Sequence, residues 1–303
     1  MIDLTLLGCG GSMPTPNRFL SSLLIGYMGR KILIDCGEGT QVSMKIAKSG
    51  FKTIDIICIT HTHGDHIIGL PGLLGTMGNS GRTEPVTIIG PEGITEAVNG
   101  LMTVAKYLPY EVIVHEITNK EIDIMEGLVK IGILEADHSS PCNSYSFYFK
   151  RSPRFSVDKA TKNNVPKVLW NKLQKTMDKI EYEGKIYTKD MVLGEEREGK
   201  KVSFVTDTRP NKALEDFSLN SHILYCEGTY GDDIDIDKAV KNKHMTFREA
   251  ANFALNGRVK KLVLTHLGTA LINPDEYLHN ATEVFQNTVI GEDRLYINLN
   301  FSD

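Results

Sequence analysis

Runs of β-branched and aliphatic residues, cut short by glycine, proline or clustered charge, recur along most of this 303-residue chain. Their alternation and composition predict strands at Leu4–Leu7, Ser22–Tyr27, Lys31–Asp35, Ile54–Thr60, Val86–Ile89, Val112–Glu116, Val129–Leu134, Tyr145–Phe149, Val202–Thr206, Ile223–Cys226, Lys261–Thr265 and Arg294–Asn298. Between them, stretches whose apolar positions return every three or four residues predict helices at Thr40–Lys48, Ile67–Met77, Ile94–Tyr107, Thr246–Leu255 and Pro274–Gln286. No internal repeat is visible. Strands and helices interleaved in this way predict an α/β fold.

The alternation fades between Phe149 and Lys201. Residues 150–201 read as an inserted arm with a short helix around Val168–Met177 and a small hairpin near Ile180–Val192. The arm holds fourteen Lys and Arg against eight Asp and Glu, a net of +6, so the overall charge of −4 hides a body at −10. One basic element on an acidic body is the asymmetry expected where that element alone meets a phosphate backbone.

With 41% apolar residues the chain can bury a large core, and a single domain spanning 1–303 is expected. No apolar run is long enough for a membrane helix, and Met1-Ile2-Asp3 lacks the basic start of a signal peptide, so a cytoplasmic protein without membrane contact is expected. The five cysteines, Cys9, Cys36, Cys58, Cys142 and Cys226, are odd in number and scattered, which predicts buried thiols rather than disulfides or a thiolate metal site.

The chemistry concentrates in His61-Thr62-His63-Gly64-Asp65-His66, directly after a predicted strand. In an extended segment side chains alternate faces, so His61 and His63 can share one metal. As the chain turns toward a helix, Asp65 and His66 swing to a second point. Imidazole mixed with carboxylate is the donor set of zinc sites that keep a position open for water, unlike the thiolate-rich set of structural zinc. Further donors stand just past predicted strands: His138, Asp207 and His266. Two Zn²⁺, one held by His61, His63 and His138 and the other by Asp65, His66 and His266, with Asp207 between them, make the donor balance of a two-metal hydrolase. Manganese is the alternative ion.

The sequence resembles the metallo-β-lactamase superfamily, and within it the ribonuclease Z family. Leu7-Gly8-Cys9-Gly10-Gly11-Ser12-Met13-Pro14-Thr15-Pro16-Asn17-Arg18 is similar to that family's opening turn, Asp35-Cys36-Gly37-Glu38-Gly39-Thr40-Gln41 to its second motif, and Leu70-Pro71-Gly72-Leu73-Leu74-Gly75 to the helix after the metal loop. The resemblance covers nearly the whole chain. It implies an αββα sandwich with the metals at one edge, an arm that projects as a flexible exosite and grips tRNA, and a homodimer that trims 3′ trailers from precursor tRNA. It also implies roles: Asp65 as general base, and His244 oriented by Glu227 as donor of a proton to the leaving oxygen, which metals cannot supply. Asp35 is expected to fix a metal-bound imidazole or a turn. His115, His222 and His279 have no partner motif and are expected to be structural.

Some positions depart from the family pattern. The arm reads Val165-Pro166-Lys167-Val168-Leu169-Trp170 without the usual Gly-Pro pair, Thr206 replaces a glycine before Asp207, and Leu267-Gly268-Thr269-Ala270-Leu271 follows His266 where serine and arginine are usual. These bear on substrate grip, so two other readings stand beside the first. One is a phosphodiesterase for small or cyclic nucleotides. The other is a nucleic-acid-binding protein whose metals serve only the fold, which the open donor set disfavours.

Overall fold

The computed structural model describes residues 1–175 and 179–301. They group into two compact units, Met1–Tyr148 with Lys201–Asp303, and Phe149–Lys200.

In the larger unit two sheets dominate. The first runs in the order Leu295–Leu299, Ile2–Gly8, Ser22–Tyr27, Arg30–Ile34, Ile54–Cys58, Val86–Gly90, Val112–Glu116. The second runs Thr288–Ile290, Leu262–Thr265, Ile223–Glu227, Arg197–Val205, Asn143–Arg151, Val129–Glu135, Lys120–Ile124. Each sheet is antiparallel toward one edge and parallel out to the other: Arg30–Ile34 to Val112–Glu116 in the first, Arg197–Val205 to Thr288–Ile290 in the second. Ser22–Tyr27 and Ile223–Glu227 are buried along both faces, as strands with cover on each side must be. Helices Thr40–Ile46, Leu70–Asn79 and Ile94–Leu101 pack Met44, Leu73, Leu74, Met77 and Val98 onto Leu24, Leu33, Ile57 and Ile88 of the first sheet. Helix Phe247–Asn256 covers the second, its start fixed by a capping box between Thr246 and Glu249. The Asn143 N–H donates to the Thr60 carbonyl (2.8 Å) and the Tyr145 hydroxyl to the Ile59 carbonyl (2.7 Å), tying the two sheets where the histidine segment begins.

The expected strands are present with ends moved by a few residues, and three of the expected helices need correction. Ile67–Met77 is two pieces, Gly64–Ile67 and Leu70–Asn79. The break comes at Gly69, whose N–H donates to the Cys36 carbonyl (2.9 Å) and where any Cβ would lie 2.3 Å from the Gly37 carbonyl oxygen. Ile94–Tyr107 ends at Leu101 and tightens into a 3₁₀ turn ahead of Pro109, and Pro274–Gln286 shortens to a 3₁₀ turn at Pro274–Tyr277 plus Leu278–Thr282. Strand Lys120–Ile124 escaped the pattern because it is an exposed edge whose alternate positions are charged. Thr288–Ile290 and helices Val157–Lys162, Lys212–Phe217 and Ile236–Asn242 are too short for periodicity to register.

The smaller unit has its own apolar cluster of Ala160, Val165, Leu169, Leu173, Tyr187 and Val192. Its helix runs Lys167–Lys175; the expected helix end at 176–177 lies outside the described residues. The Trp170 indole N–H donates to the Val165 carbonyl (2.9 Å). Hairpin Ile180–Tyr182 with Lys185–Tyr187 turns at Glu183 and Gly184, both at positive φ as a two-residue turn of this twist requires. All five cysteines are free and buried. Among the described residues no helix is long and apolar enough to cross a membrane.

Candidate metal centre

Parallel strands end side by side, so the residues just past those ends are brought together. Asp35 follows Arg30–Ile34, His61 follows Ile54–Cys58, Asp207 follows Arg197–Val205, and His266 follows Leu262–Thr265. Asp35, Asp207 and His266 take φ of 55°, 50° and 52°, a left-handed conformation that costs a non-glycine residue about 1–2 kcal/mol. Such strain persists only where surrounding bonds hold it, and it collects at functional sites. Asp65 and His66 ride on the helical turn Gly64–Ile67, and His138 sits on the loop after Val129–Glu135.

All seven sequence-derived donors meet. Donor atoms of His61, His63 and His138 lie within 4.8 Å of one another, as do those of Asp65, His66 and His266 and those of His61, His66 and Asp207. Asp207 divides its carboxylate: Oδ2 lies 3.7 Å from His61 Nε2 and 3.8 Å from His138 Nε2, while Oδ1 lies 3.4 Å from His66 Nε2 and 3.3 Å from His266 Nε2. Asp65 Oδ2 faces the second group, at 3.4 Å from His66 and 3.3 Å from His266. His115, His222 and His279 lie outside these groups.

The ring nitrogens turned away from the centre are held. His66 Nδ1 donates to Asp35 Oδ2 (2.7 Å), and the Thr60 N–H donates to Asp35 Oδ1 (2.7 Å). The Thr60 hydroxyl lies 3.1 Å from His61 Nδ1, and the Thr229 hydroxyl 3.1 Å from His266 Nδ1. This orientation leaves His66 Nε2 buried without a hydrogen-bond partner among the described residues. A buried ring nitrogen left unpaired inside a ring of carboxylates and imidazoles fits a cation's place, and nitrogen with oxygen donors fits zinc or a similar divalent ion.

Electrostatics follow the same division. Burial drives His61 well below the usual imidazole range, and the nearby His66 adds to it; burial lowers His138 as well. Burial also opposes charge on His66, but Asp207 and Asp35 outweigh it and raise that ring. Burial opposes ionisation of Asp65 and Asp207, yet the histidines around them hold both well below the carboxylate range.

A cleft of about 540 Å³ opens over the centre between Ser12, Asp65, His138, Lys241 and His244. Glu227 is buried beneath it, accepting from the Thr208 N–H (2.7 Å), the Met245 N–H (3.0 Å) and the Thr229 hydroxyl (2.7 Å), with His244 Nδ1 at 3.1 Å. Burial pulls His244 down, but the Glu227 charge and hydrogen bond prevail and push it up to about 9. Sequence reasoning did not single out Thr60, Thr208, Thr229 or the Ser12 N–H, which donates to Asp65 Oδ2 (2.7 Å). Hydroxyl and backbone groups carry no signature in the chain; adjacency of Thr60 to the histidine segment was the one available clue.

Two stacked sheets with this site at their strand ends define the class, a metal-dependent hydrolase of the metallo-β-lactamase fold. Human tRNase Z, short form, superposes with a TM-score of 0.71 at 24% identity, covering 99% of this chain and 100% of that one. YhfI of Bacillus subtilis, a metallo-β-lactamase fold protein, gives 0.68 at 19% identity with 98% of each covered. The ribonuclease Z of Clostridium beijerinckii is 62% identical over 307 residues and that of Clostridioides difficile 57%, each comparison covering 100% of both chains. The chain belongs to the ribonuclease Z family and, through residues 2–192, to the family described as Anti-Pycsar protein Apyc1.

Proposed function

We propose that this protein is a zinc-dependent endoribonuclease that removes 3′ trailers from precursor tRNA by hydrolysing a phosphodiester bond. The observation that carries the reading is the split carboxylate of Asp207, one oxygen toward each imidazole group, under a cleft with His244 on its rim. His61, His63, His138 and Asp207 would hold one Zn²⁺, and Asp65, His66, His266 and Asp207 the other; Mn²⁺ would suit the same donors. When bound, the ions acidify a water and neutralise charge developing on the phosphate oxygens.

The chain's own residues do the rest. Asp65, held ionised by His266 and His66, accepts a proton from the attacking water. Glu227, fixed by three donors, orients His244 through Nδ1 and keeps it charged, so that His244 protonates the departing 3′-oxygen and leaves a hydroxyl on the tRNA. The lysine-rich segment 150–201, inserted in a single metallo-β-lactamase-fold domain, grips the tRNA as an arm. The enzyme works as a cytoplasmic homodimer.

Mapping the cut on a 3′-extended precursor tRNA tests this. Cleavage just past the discriminator nucleotide, lost in His63→Ala, is expected. Deleting residues 151–200 should spare a chromogenic phosphodiester and remove tRNA cleavage. Similar turnover of the chromogenic phosphodiester before and after the deletion, with no cut of precursor tRNA by the intact protein, would instead favour a phosphodiesterase of small or cyclic nucleotides.

A further inference from the structure

We propose that Asp293, far from the cleft in sequence and not a donor to it, is a positioning residue for the His266 and Asp65 half of the centre; this rests on the two-metal reading above. Its side chain is 5% exposed, and its two oxygens bind the two ends of one loop: the Cys9 N–H donates to Oδ1 (3.1 Å) and the Phe19 N–H to Oδ2 (2.7 Å). Arg294 stands 3.9 Å from Oδ2. One acceptor oxygen per N–H is what a carboxylate provides. An amide would turn an NH₂ toward one of those N–H groups.

What lies between the two ends is pressed onto the centre. A Cβ on Gly11 would fall 2.5 Å from His266 Cε1, so the loop backbone lies directly against that ring. The Leu267 N–H donates to the Cys9 carbonyl (2.8 Å) and the Gly11 N–H to the Leu267 carbonyl (3.1 Å), bracketing the residue after His266. Ser12, at φ 67°, donates its N–H to Asp65 Oδ2, the oxygen that faces His66 and His266. His266 is itself held at a strained φ, which needs such outside support. Asp293 therefore clips a loop that sets both a ring and a carboxylate. The His61, His63 and His138 group makes none of these contacts, so the effect of losing the clip is one-sided.

The test is metal loading of the full chain as wild type, Asp293→Asn, Asp293→Ala and Gly11→Ala. Stepwise Co²⁺ addition is followed by visible absorption, Zn²⁺ affinity by competition with a chromogenic chelator, and stability of the metal-free protein by thermal melting. The expected result is one equivalent bound as in wild type, the other roughly 10-fold weaker or more, with an altered Co²⁺ spectrum for that equivalent alone. Gly11→Ala disturbs the loop from the His266 side with Asp293 intact and should give the same one-sided loss, even where an Asp293 variant fails to fold. Both equivalents bound with wild-type affinity and spectrum, with only the melting temperature lowered, would reduce Asp293 to an ordinary structural residue. Fewer than two equivalents in wild type would overturn the two-metal reading and the clip with it.

Discussion

Asp35→Asn should weaken one metal position while leaving the protein folded. Asp35 is fully buried and accepts from the Thr60 N–H on Oδ1 (2.7 Å) and from His66 Nδ1 on Oδ2 (2.7 Å). An asparagine can keep its oxygen on the Thr60 N–H, but its NH₂ then faces His66. Nδ1 must accept, so the ring proton moves to Nε2, the atom that looks at Asp65 and Asp207 from 3.4 Å. A protonated Nε2 has no lone pair for a cation. Loss of a second-sphere partner of this kind costs about 10- to 100-fold in metal affinity, or about 1.4–2.8 kcal/mol. Asp35→Ala behaves differently, because it strands three buried donors at once, the Thr60 N–H, the Thr60 hydroxyl and His66 Nδ1; breaking a buried pair in this way costs roughly 3–5 kcal/mol of stability. The assay is chelator competition for the metal bound by the wild type, beside urea unfolding of the metal-free proteins. Unchanged metal affinity in Asp35→Asn would refute the tautomer argument, and an Asp35→Ala as stable as wild type would refute the burial argument.

Other expectations are simpler. His244 titrates near 6.5 when free and at about 9 when folded, so its pairing with Glu227 stabilises the metal-free fold fully below pH 6.5 and the contribution is lost as pH rises through about 9. The amount is about 3 kcal/mol, and Glu227→Gln should flatten that slope in urea melts across this window. Thr246→Ala removes the capping box and should cost about 1 kcal/mol in the same melts. The five buried thiols should stay inert to a chromogenic disulfide reagent until denaturant is added; rapid labelling of any one in native protein would contradict their burial.

Much of the layout was legible from the chain because it rests on local rules. Alternation marked Ser22–Tyr27 and Val112–Glu116 to the residue, and the density of imidazole beside carboxylate singled out His61–His66. The break at Gly69 was hidden, since it arises from the close approach of Gly37, thirty-two positions earlier in the chain. The family resemblance drawn from three motifs agrees with full-length relatives at 62% and 57% identity. The roles of His244 and Glu227 rested on that resemblance alone, because a histidine before a helix has no local mark of catalysis.

By itself the sequence determined which atoms were on offer: five imidazoles and two carboxylates at strand ends, five thiols too scattered to pair, and a basic insertion on an acidic body. Those are matters of composition and short-range spacing. Only the tertiary structure decided that Asp207 shares its oxygens between two groups, that Asp35, Thr60 and Thr229 set the ring orientations, and that Asp293 closes the loop against His266. The reason is that a donor's direction depends on the partner that holds its far side, and here that partner stands up to 37 positions away along the chain.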